Sequence, residues 1–159
     1  MSSTQYVGKA GHLAVMGELC LRGYNVSMPE IDKGDDVFVV KDESGAMWRL
    51  QVKTSLGTAN NNSRRYQFRI RNSAIQTPQS PELHFVFVMR KGIRTWRYLV
   101  MDRAVLRNYV NNQNMGSHGP EYTQLYITLG KENEQVKVTC SNVILTNHLE
   151  DWGTWPEEL

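Results

Sequence analysis

Three residues in the first third of the chain have the types that metal-assisted phosphodiester hydrolysis uses. Asp36 stands at the start of a short apolar run, and Gln51 and Lys53 follow after a turn. Mg²⁺ prefers oxygen ligands, so the Asp36 carboxylate, the Gln51 amide oxygen and a backbone carbonyl such as that of Val52 can form half of its coordination shell. A lysine beside such a cation can orient or help deprotonate the attacking water, or stabilise charge that develops on the phosphate. The alternative is an acidic turn residue followed by the solvated polar face of a strand.

Two strands and a turn must position these residues. The run from Asp36 to Val40 is typical of a strand buried on both faces, and residues 42–45 are typical of a hairpin turn. A second strand is predicted from Met47 to Thr54. Because side chains alternate along a strand, Gln51 and Lys53 share one face and the apolar residues between them share the other. If the two strands pair, Gln51 and Lys53 lie beside Asp36 at one end of the hairpin.

A helix precedes these strands. Its predicted span is Thr4–Arg22, and Gly23 suits the left-handed residue that often ends a helix. Apolar residues recur at helical spacing, so part of the helix must be covered, and Cys20 is expected in the core. A short strand, Tyr24–Met28, then leads into the acidic turn before Asp36.

The first third of the chain carries several motifs in one order. They are Gly8-Lys9-Ala10-Gly11-His12, the run from Glu18 to Val26, Pro29, Asp32, Gly34, Asp36 and Gln51-Val52-Lys53. Each motif alone is weak, but their order after a helix resembles the PD-(D/E)XK nuclease superfamily, and most nearly archaeal Holliday junction resolvases and small members that carry Gln-X-Lys. The resemblance implies a restriction-endonuclease-like fold, Mg²⁺ or Mn²⁺ as cofactor, DNA as substrate, and catalytic roles for Asp36, Gln51 and Lys53.

One position departs from that pattern. Families like the junction resolvases place a metal-assisting glutamate on the first helix, about three turns before the glycine that ends it, and that count leads here from Gly23 to His12. Glu18 is on the same helix, but six residues at about 100° each turn it well away from position 12. His12 can ligate a metal or act as a base, although imidazole suits Mn²⁺, Zn²⁺ or Ni²⁺ better than Mg²⁺. His12 and Glu18 are both candidate catalytic residues; the alternative for His12 is a partly buried helix residue in a site that has lost its full ligand set.

The remaining chain alternates strands, loops and helices. The predicted elements are a polar loop Leu56–Ser63, strands Tyr66–Arg71, Leu83–Met89 and Thr95–Met101, a helix capped by Asp102 that runs to about Asn111, a hairpin Tyr122–Cys140 that turns at Gly130–Asn133, and a short helix from Ser141 to near Asp151. This order predicts an α+β fold, a mixed α/β sandwich, as one domain over residues 1–159. The family resemblance adds a restriction-endonuclease-like core, with a central mixed sheet flanked by helices.

Charge is unevenly distributed although the net charge is only +2. Arginines crowd the middle third, whereas carboxylates gather at residues 30–43 and near the end of the chain. A protein that hydrolyses a polyanion needs this segregation, with carboxylates at the metal and cations along the backbone track. Arg64, Arg65 and Arg69 are therefore predicted to contact DNA, and Lys9 is a fourth candidate. The alternative is that outward-facing strand arginines serve solubility.

Composition argues against several other classes. No apolar run is long enough to cross a bilayer and no signal-peptide pattern is present, so a cytoplasmic protein without membrane contact is expected. Two distant cysteines indicate neither a disulfide framework nor a zinc ribbon. The sequence has no Walker loop and no glycine-rich nucleotide fingerprint, so no nucleotide cofactor is expected. Trp152 and Trp155 can stack on bases, hold the C-terminal tail against the body or form a subunit contact.

These observations lead to one functional prediction and two alternatives. The chain is predicted to be a divalent-metal-dependent endonuclease that hydrolyses DNA phosphodiester bonds. The resemblance implies a homodimer, and a twofold axis would supply one site for each strand. The first alternative is a catalytically degenerate module of the same fold, which binds nucleic acid or serves as a subunit of a larger nuclease or defence assembly. The second is a structural or interaction protein with no nucleic-acid role.

Overall fold

In the computed structural model, residues 3–31 and 33–152 form one long helix, a mixed sheet and an antiparallel sheet in three layers, with two further helices. The elements are α1 (Ser3–Leu21), β1 (Asn25–Ser27), β2 (Val37–Lys41), β3 (Ala46–Ser55), β4 (Thr58–Asn60), β5 (Ser63–Arg71), α2 (Asn72–Gln76), β6 (Leu83–Lys91), β7 (Thr95–Asp102), α3 (Arg103–Asn112), β8 (Ser117–His118), β9 (Tyr122–Glu132), β10 (Gln135–Cys140), β11 (Val143–Ile144) and a 3-10 helix (Thr146–His148). Asp32 and Trp155 lie outside the described residues. Within the described residues no helix has both the length and the apolar character needed to span a bilayer.

Helix α1 ends at a glycine, as predicted. Gly23 has a φ of +88°; its N–H donates to Cys20 O and the next N–H donates to Leu19 O, each at 3.0 Å. This pair of hydrogen bonds is the Schellman motif, which favours a left-handed residue. The Cys20 side chain is exposed, so its predicted place in the core is wrong; Val15 and Leu19 carry the buried stripe instead.

The mixed sheet lies in the middle of the molecule and has the strand order β1-β2-β3-β6-β7. β3 and β6 are parallel, and the other neighbours are antiparallel. The predicted hairpin of β2 and β3 is present, with Val37 opposite Leu50. The alternation predicted for β3 also holds, because Trp48, Leu50 and Val52 face α1 in one apolar cluster.

A second sheet, entirely antiparallel, covers the other face of the mixed sheet. Its strand order is β11-β10-β9-β5-β4, and β8 pairs with β9. Tyr66, Phe68 and Ile70 of β5 join Phe85 and Phe87 of β6 in the larger apolar cluster, to which α2 and α3 also contribute. The α+β class and the central mixed sheet are therefore confirmed. Helix α1 flanks the mixed sheet on one face, and the second sheet with α2 and α3 covers the other.

Three local predictions fail where polar or short segments carry a weak pattern. The predicted loop Leu56–Ser63 contains β4 and the turn into β5. The hairpin of β9 and β10 turns at Asn133 and Glu134, both with positive φ, rather than at Gly130–Asn133. Ser141 has a φ of +54° and begins no helix, because a capping residue needs extended backbone.

Candidate functional site

Asp36 is fixed against β3 by two hydrogen bonds to backbone groups. Its N–H donates to Leu50 O, and its carboxylate Oδ2 accepts from the Val52 N–H, both at 2.7 Å. The side chain is 11% exposed, and the other oxygen, Oδ1, lies 3.7 Å from His12 Nε2. The structure thus brings Asp36 to the stretch of β3 that carries Gln51 and Lys53, at the point where β2 begins.

Gln51 is a buried amide on that stretch of β3. It is 7% exposed, and its Oε1 accepts no hydrogen bond from any described residue. A buried acceptor without a partner destabilises a folded protein by about 1–3 kcal/mol, so its retention points to a ligand that supplies the partner. Gly34, at a φ of +104°, lies next to this amide, since a Cβ at that position would be 3.8 Å from Gln51 Nε2.

A cleft of about 500 Å³ opens between β3 and β5 at this point. Its lining residues are Lys33, Gly34, Asp36, Gln51, Lys53, Arg69, Arg71 and Ser73. Four cationic side chains therefore face one carboxylate. This excess of positive charge favours the binding of an anionic ligand beside the side-chain oxygens of Asp36 and Gln51.

Only one of the two helix candidates reaches this site. His12 contacts Asp36 from the α1 side, because the preceding residue, Gly11, lies so close to β3 that a Cβ would overlap the Thr54 hydroxyl. Glu18 is about 9 Å further along the helix axis. Its carboxylate pairs with Arg22 at 3.7 Å, and the geometry does not bring it to Asp36.

The layers that build this cleft have a counterpart among solved structures. The chain is similar in fold to a bacterial homing endonuclease, I-Ssp6803I. The TM-score is 0.63, the match covers 97% of this chain and 93% of I-Ssp6803I, and the sequences are 15% identical. No protein-family model matches the chain, and no curated protein matches it. The likeness is one of fold with a nuclease, over nearly the whole length of both chains.

The likeness to I-Ssp6803I leaves the chemistry to be argued from the residues present. The Val52 N–H points to Asp36, and the C=O of a strand residue points to the same side as its N–H, so the Val52 carbonyl also faces the site. With Asp36 and Gln51 it forms a set of hard oxygen donors that fits Mg²⁺ or Mn²⁺. No three His, Cys, Asp or Glu side chains are grouped for metal binding within residues 3–31 and 33–152.

The candidate DNA-binding residues occupy different surroundings. Arg69 lines the cleft. Arg65 is exposed, with its guanidinium 4.3 Å from the centroid of the Tyr126 ring. Arg64 donates to the carbonyls of residues 56 and 57, both at 3.0 Å, and thereby secures the turn between β3 and β4. Lys9 is exposed on α1, where its Nζ donates to Met28 Sδ at 2.9 Å.

Sequence reasoning did not identify three of the cleft residues. Arg71 shares the outward face of β5 with Arg69, so strand alternation could have indicated it. Lys33 and Ser73 lie just outside strands, and no local pattern assigns them to the cleft. Their approach depends on how the two sheets pack.

Proposed function

We propose that this chain is a divalent-metal-dependent endonuclease of the PD-(D/E)XK type that hydrolyses DNA phosphodiester bonds. The observation that carries the proposal is the cleft in which the Asp36 carboxylate and the Gln51 oxygen, unpartnered among the described residues, stand beside four cationic side chains. The oxygens suit a hard cation, and the cations suit a phosphate backbone. The fold shared with I-Ssp6803I, a homing endonuclease, supports the same class of reaction.

Each group in the cleft has a separate task in this proposal. Asp36, Gln51 and the Val52 carbonyl would hold Mg²⁺ or Mn²⁺, which supplies Lewis-acid stabilisation when bound. Lys53 shares the cleft with Gln51, where its ammonium orients the attacking water and offsets negative charge on the phosphate. Arg69 and Arg71, both on β5, hold the phosphate backbone through charge-assisted hydrogen bonds.

The proposed active form is a homodimer on DNA. One cleft faces one strand of a duplex, whereas a twofold axis presents a second, equivalent cleft to the other strand. The isologous contact that this requires makes the two sites identical in sequence and geometry. No nucleotide or further cofactor enters the proposed reaction.

The test is cleavage of labelled duplex, single-stranded and four-way-junction DNA in MgCl2 or MnCl2. We expect the wild type to cut in a metal-dependent way, and Asp36→Ala and Lys53→Ala to lose at least about 100-fold in rate, because each removes a group that acts on the transition state. Lys91→Ala, an exposed lysine at the end of β6, is the matched control and should cut normally. Full activity in Lys53→Ala would refute the assignment.

His12 favours a second candidate, a module of the same fold that binds nucleic acid without cutting it, alone or in a larger nuclease assembly. A histidine stands 3.7 Å from Asp36 where the resemblance implies a glutamate, so the site has one carboxylate fewer. Calorimetry with MnCl2 and MgCl2 separates the two candidates. The nuclease requires metal binding that Asp36→Ala abolishes, whereas the degenerate module requires that no binding depends on Asp36.

A further inference from the structure

The outward surface of β5 and β9 is rich in arginine, glutamine and tyrosine side chains. β5 buries Tyr66, Phe68 and Ile70 and turns Arg65, Gln67, Arg69 and Arg71 to the exterior. The residues opposite these four on β9 are Thr128, Tyr126, Gln124 and Tyr122. We call these eight residues the β5–β9 face. It carries three arginines, two tyrosines, two glutamines and a threonine, and no carboxylate.

The arginines of the β5–β9 face are held by tyrosines. Arg65 lies 4.3 Å from the centroid of the Tyr126 ring, and Arg69 lies 3.7 Å from that of Tyr122. Neither arginine forms an ion pair with a carboxylate of the described residues. A guanidinium stacked on a ring keeps the N–H groups on its edge directed outward, where they can donate to a ligand. The face therefore presents positive charge in a fixed orientation.

Glutamine accompanies the arginines. The Gln67 Nε2 donates to Gln124 Oε1 at 2.6 Å, which links the two strands on the exterior. Arginine is the side chain that pairs with guanine in the major groove, and glutamine is one that pairs with adenine. The β5–β9 face therefore carries both kinds of side chain that recognise purines in the major groove.

The dimensions fit duplex DNA. β5 and β9 are inner strands of the second sheet, because β4 pairs with β5, and β8 and β10 pair with β9. Sheets can read DNA with strands laid along the major groove, which is about 12 Å wide. From residue 65 to residue 71 the strand extends about 20 Å, which matches about six base pairs at about 3.4 Å each. Side chains cannot read the deep, narrow major groove of duplex RNA, so RNA does not offer the same contacts to this face.

The β5–β9 face joins the cleft without a gap. Arg69 and Arg71 belong to the face and also line the cleft beside Asp36. A duplex lying on the face would thus bring its phosphate backbone to the cleft. We infer that the β5–β9 face lies along the major groove of duplex DNA and that its side chains read base edges over about six base pairs, presenting the adjacent backbone to the Asp36 cleft. This inference rests on the proposed nuclease function of that cleft.

The experiment selects sequences from a randomised duplex library with the full chain in EDTA, where metal-dependent cutting cannot occur. The enriched duplex is then bound by wild type, Arg65→Ala and Gln67→Ala, two face residues outside the cleft lining. Each variant should bind it about 10-fold more weakly and lose base preference at one or two positions, since one bidentate contact contributes about that much. Arg94→Ala, an exposed arginine in the turn between β6 and β7, is the matched control. Thermal unfolding verifies that each variant is folded.

Several outcomes would overturn the inference. They are a wild type that enriches no sequence, tighter binding to single strands or to RNA than to duplex DNA, unchanged base preference in both face variants, and an equal loss in Arg94→Ala. Cleavage assays in MnCl2 distinguish this failure from failure of the proposed function. Cutting with unaltered preference in Arg65→Ala and Gln67→Ala refutes the face alone, whereas altered binding preference without any cutting refutes the nuclease alone.

Discussion

At the scale of single residues, Gln51 links stability to the proposed function. Its amide oxygen is buried without a donor among the described residues, and such an acceptor destabilises the folded chain by about 1–3 kcal/mol. A cation would supply the missing partner and relieve that penalty. Leucine has nearly the same volume and no acceptor, so Gln51→Leu separates packing from ligation.

We expect Gln51→Leu to raise the free energy of unfolding in EDTA by about 1 kcal/mol, and to abolish the rise in melting temperature that MnCl2 gives the wild type. Thermal unfolding with and without MnCl2 measures both effects. Gln135→Leu, at an exposed position of β10, should leave the metal effect intact. A Gln51→Leu variant that MnCl2 stabilises as much as the wild type would show that Gln51 is no ligand.

Local geometry explains which site residues the sequence could predict. Asp36 and the pair Gln51 and Lys53 belong to one hairpin, so a period of two and a short turn are enough to bring them together. Arg71 and Lys33 reach the cleft from separate segments, and their approach depends on the packing of two sheets. Glu18 shares a helix with His12, but helical rotation carries it to Arg22 instead.

At the scale of elements, the contact of α1 with β3 sets the site. Gly11 has no room for a Cβ against Thr54, and the next residue is His12. A side chain at position 11 would force the helix away from the sheet. The distance from His12 to Asp36 therefore depends on a glycine that is not part of the cleft.

We expect Gly11→Ala to lower the free energy of unfolding by about 2 kcal/mol, as other overpacked contacts do, and to slow cleavage as His12 moves from Asp36. Chemical denaturation and the cleavage assay measure these effects. Gly17→Ala is the control on the same helix, since a Cβ there meets nothing within 4 Å, and it should be neutral or stabilising by up to about 1 kcal/mol. Equal stability of the two variants would mean that the helix does not rest on Thr54.

A buried arginine joins α3 to the start of β6. Arg103 is 5% exposed; its Nε and Nη2 donate to the two Glu82 carboxylate oxygens at 2.7 Å, and its Nη1 donates to Ile75 O at 3.0 Å. The hydrogen bonds from Arg103 hold the pKa of Glu82 below its ordinary value of 4.5. Because the folded pKa is the lower one, this stabilisation is present above the unfolded pKa and is lost as the pH falls through the folded value.

We expect Glu82→Gln to lower the free energy of unfolding near neutral pH by about 1–2 kcal/mol, less than the 3–5 kcal/mol of a fully buried pair because Glu82 is one-third exposed. The difference from wild type should narrow at an acidic pH below the lowered pKa of Glu82, where the wild-type carboxyl is also protonated. Urea denaturation at the two pH values measures it. Glu43→Gln, in the exposed turn before β3, should differ little from wild type. A difference that stays constant with pH would contradict the Arg103 contact.

Elements were predictable where one face is buried and the other is not. β5 alternates buried and exposed residues, and the sequence predicts most of it. All three residues of β4 are exposed, so no apolar pattern marks that strand and the sequence predicts a loop there. Its pairing with β5, with Thr58 opposite Arg65, depends on backbone hydrogen bonds that composition does not encode.

At the scale of the whole molecule, the net charge of +2 conceals a separation that the fold produces. The cleft and the β5–β9 face bring arginines and lysines together on one connected surface. Several acidic residues elsewhere form ion pairs with arginines, among them Glu18, Glu82 and Glu150. The proposed binding to DNA should therefore depend on salt far more steeply than the net charge indicates. It should also be insensitive to charges outside that surface.

The proposed homodimer predicts which DNA products form from a plasmid. Two clefts on a twofold axis cut both strands in one encounter, whereas a single cleft nicks one strand. We expect supercoiled plasmid to become linear with little nicked intermediate, and light scattering to give twice the chain mass of 18.3 kDa. Asp36→Ala mixed with wild type should convert part of the product to nicked circles, since a mixed dimer holds one intact site. If the pure wild type produces nicked circles and light scattering gives a mass of 18.3 kDa, the proposed dimer is refuted. The proposed chemistry of the cleft would be unaffected, because each cleft is formed by residues of one chain.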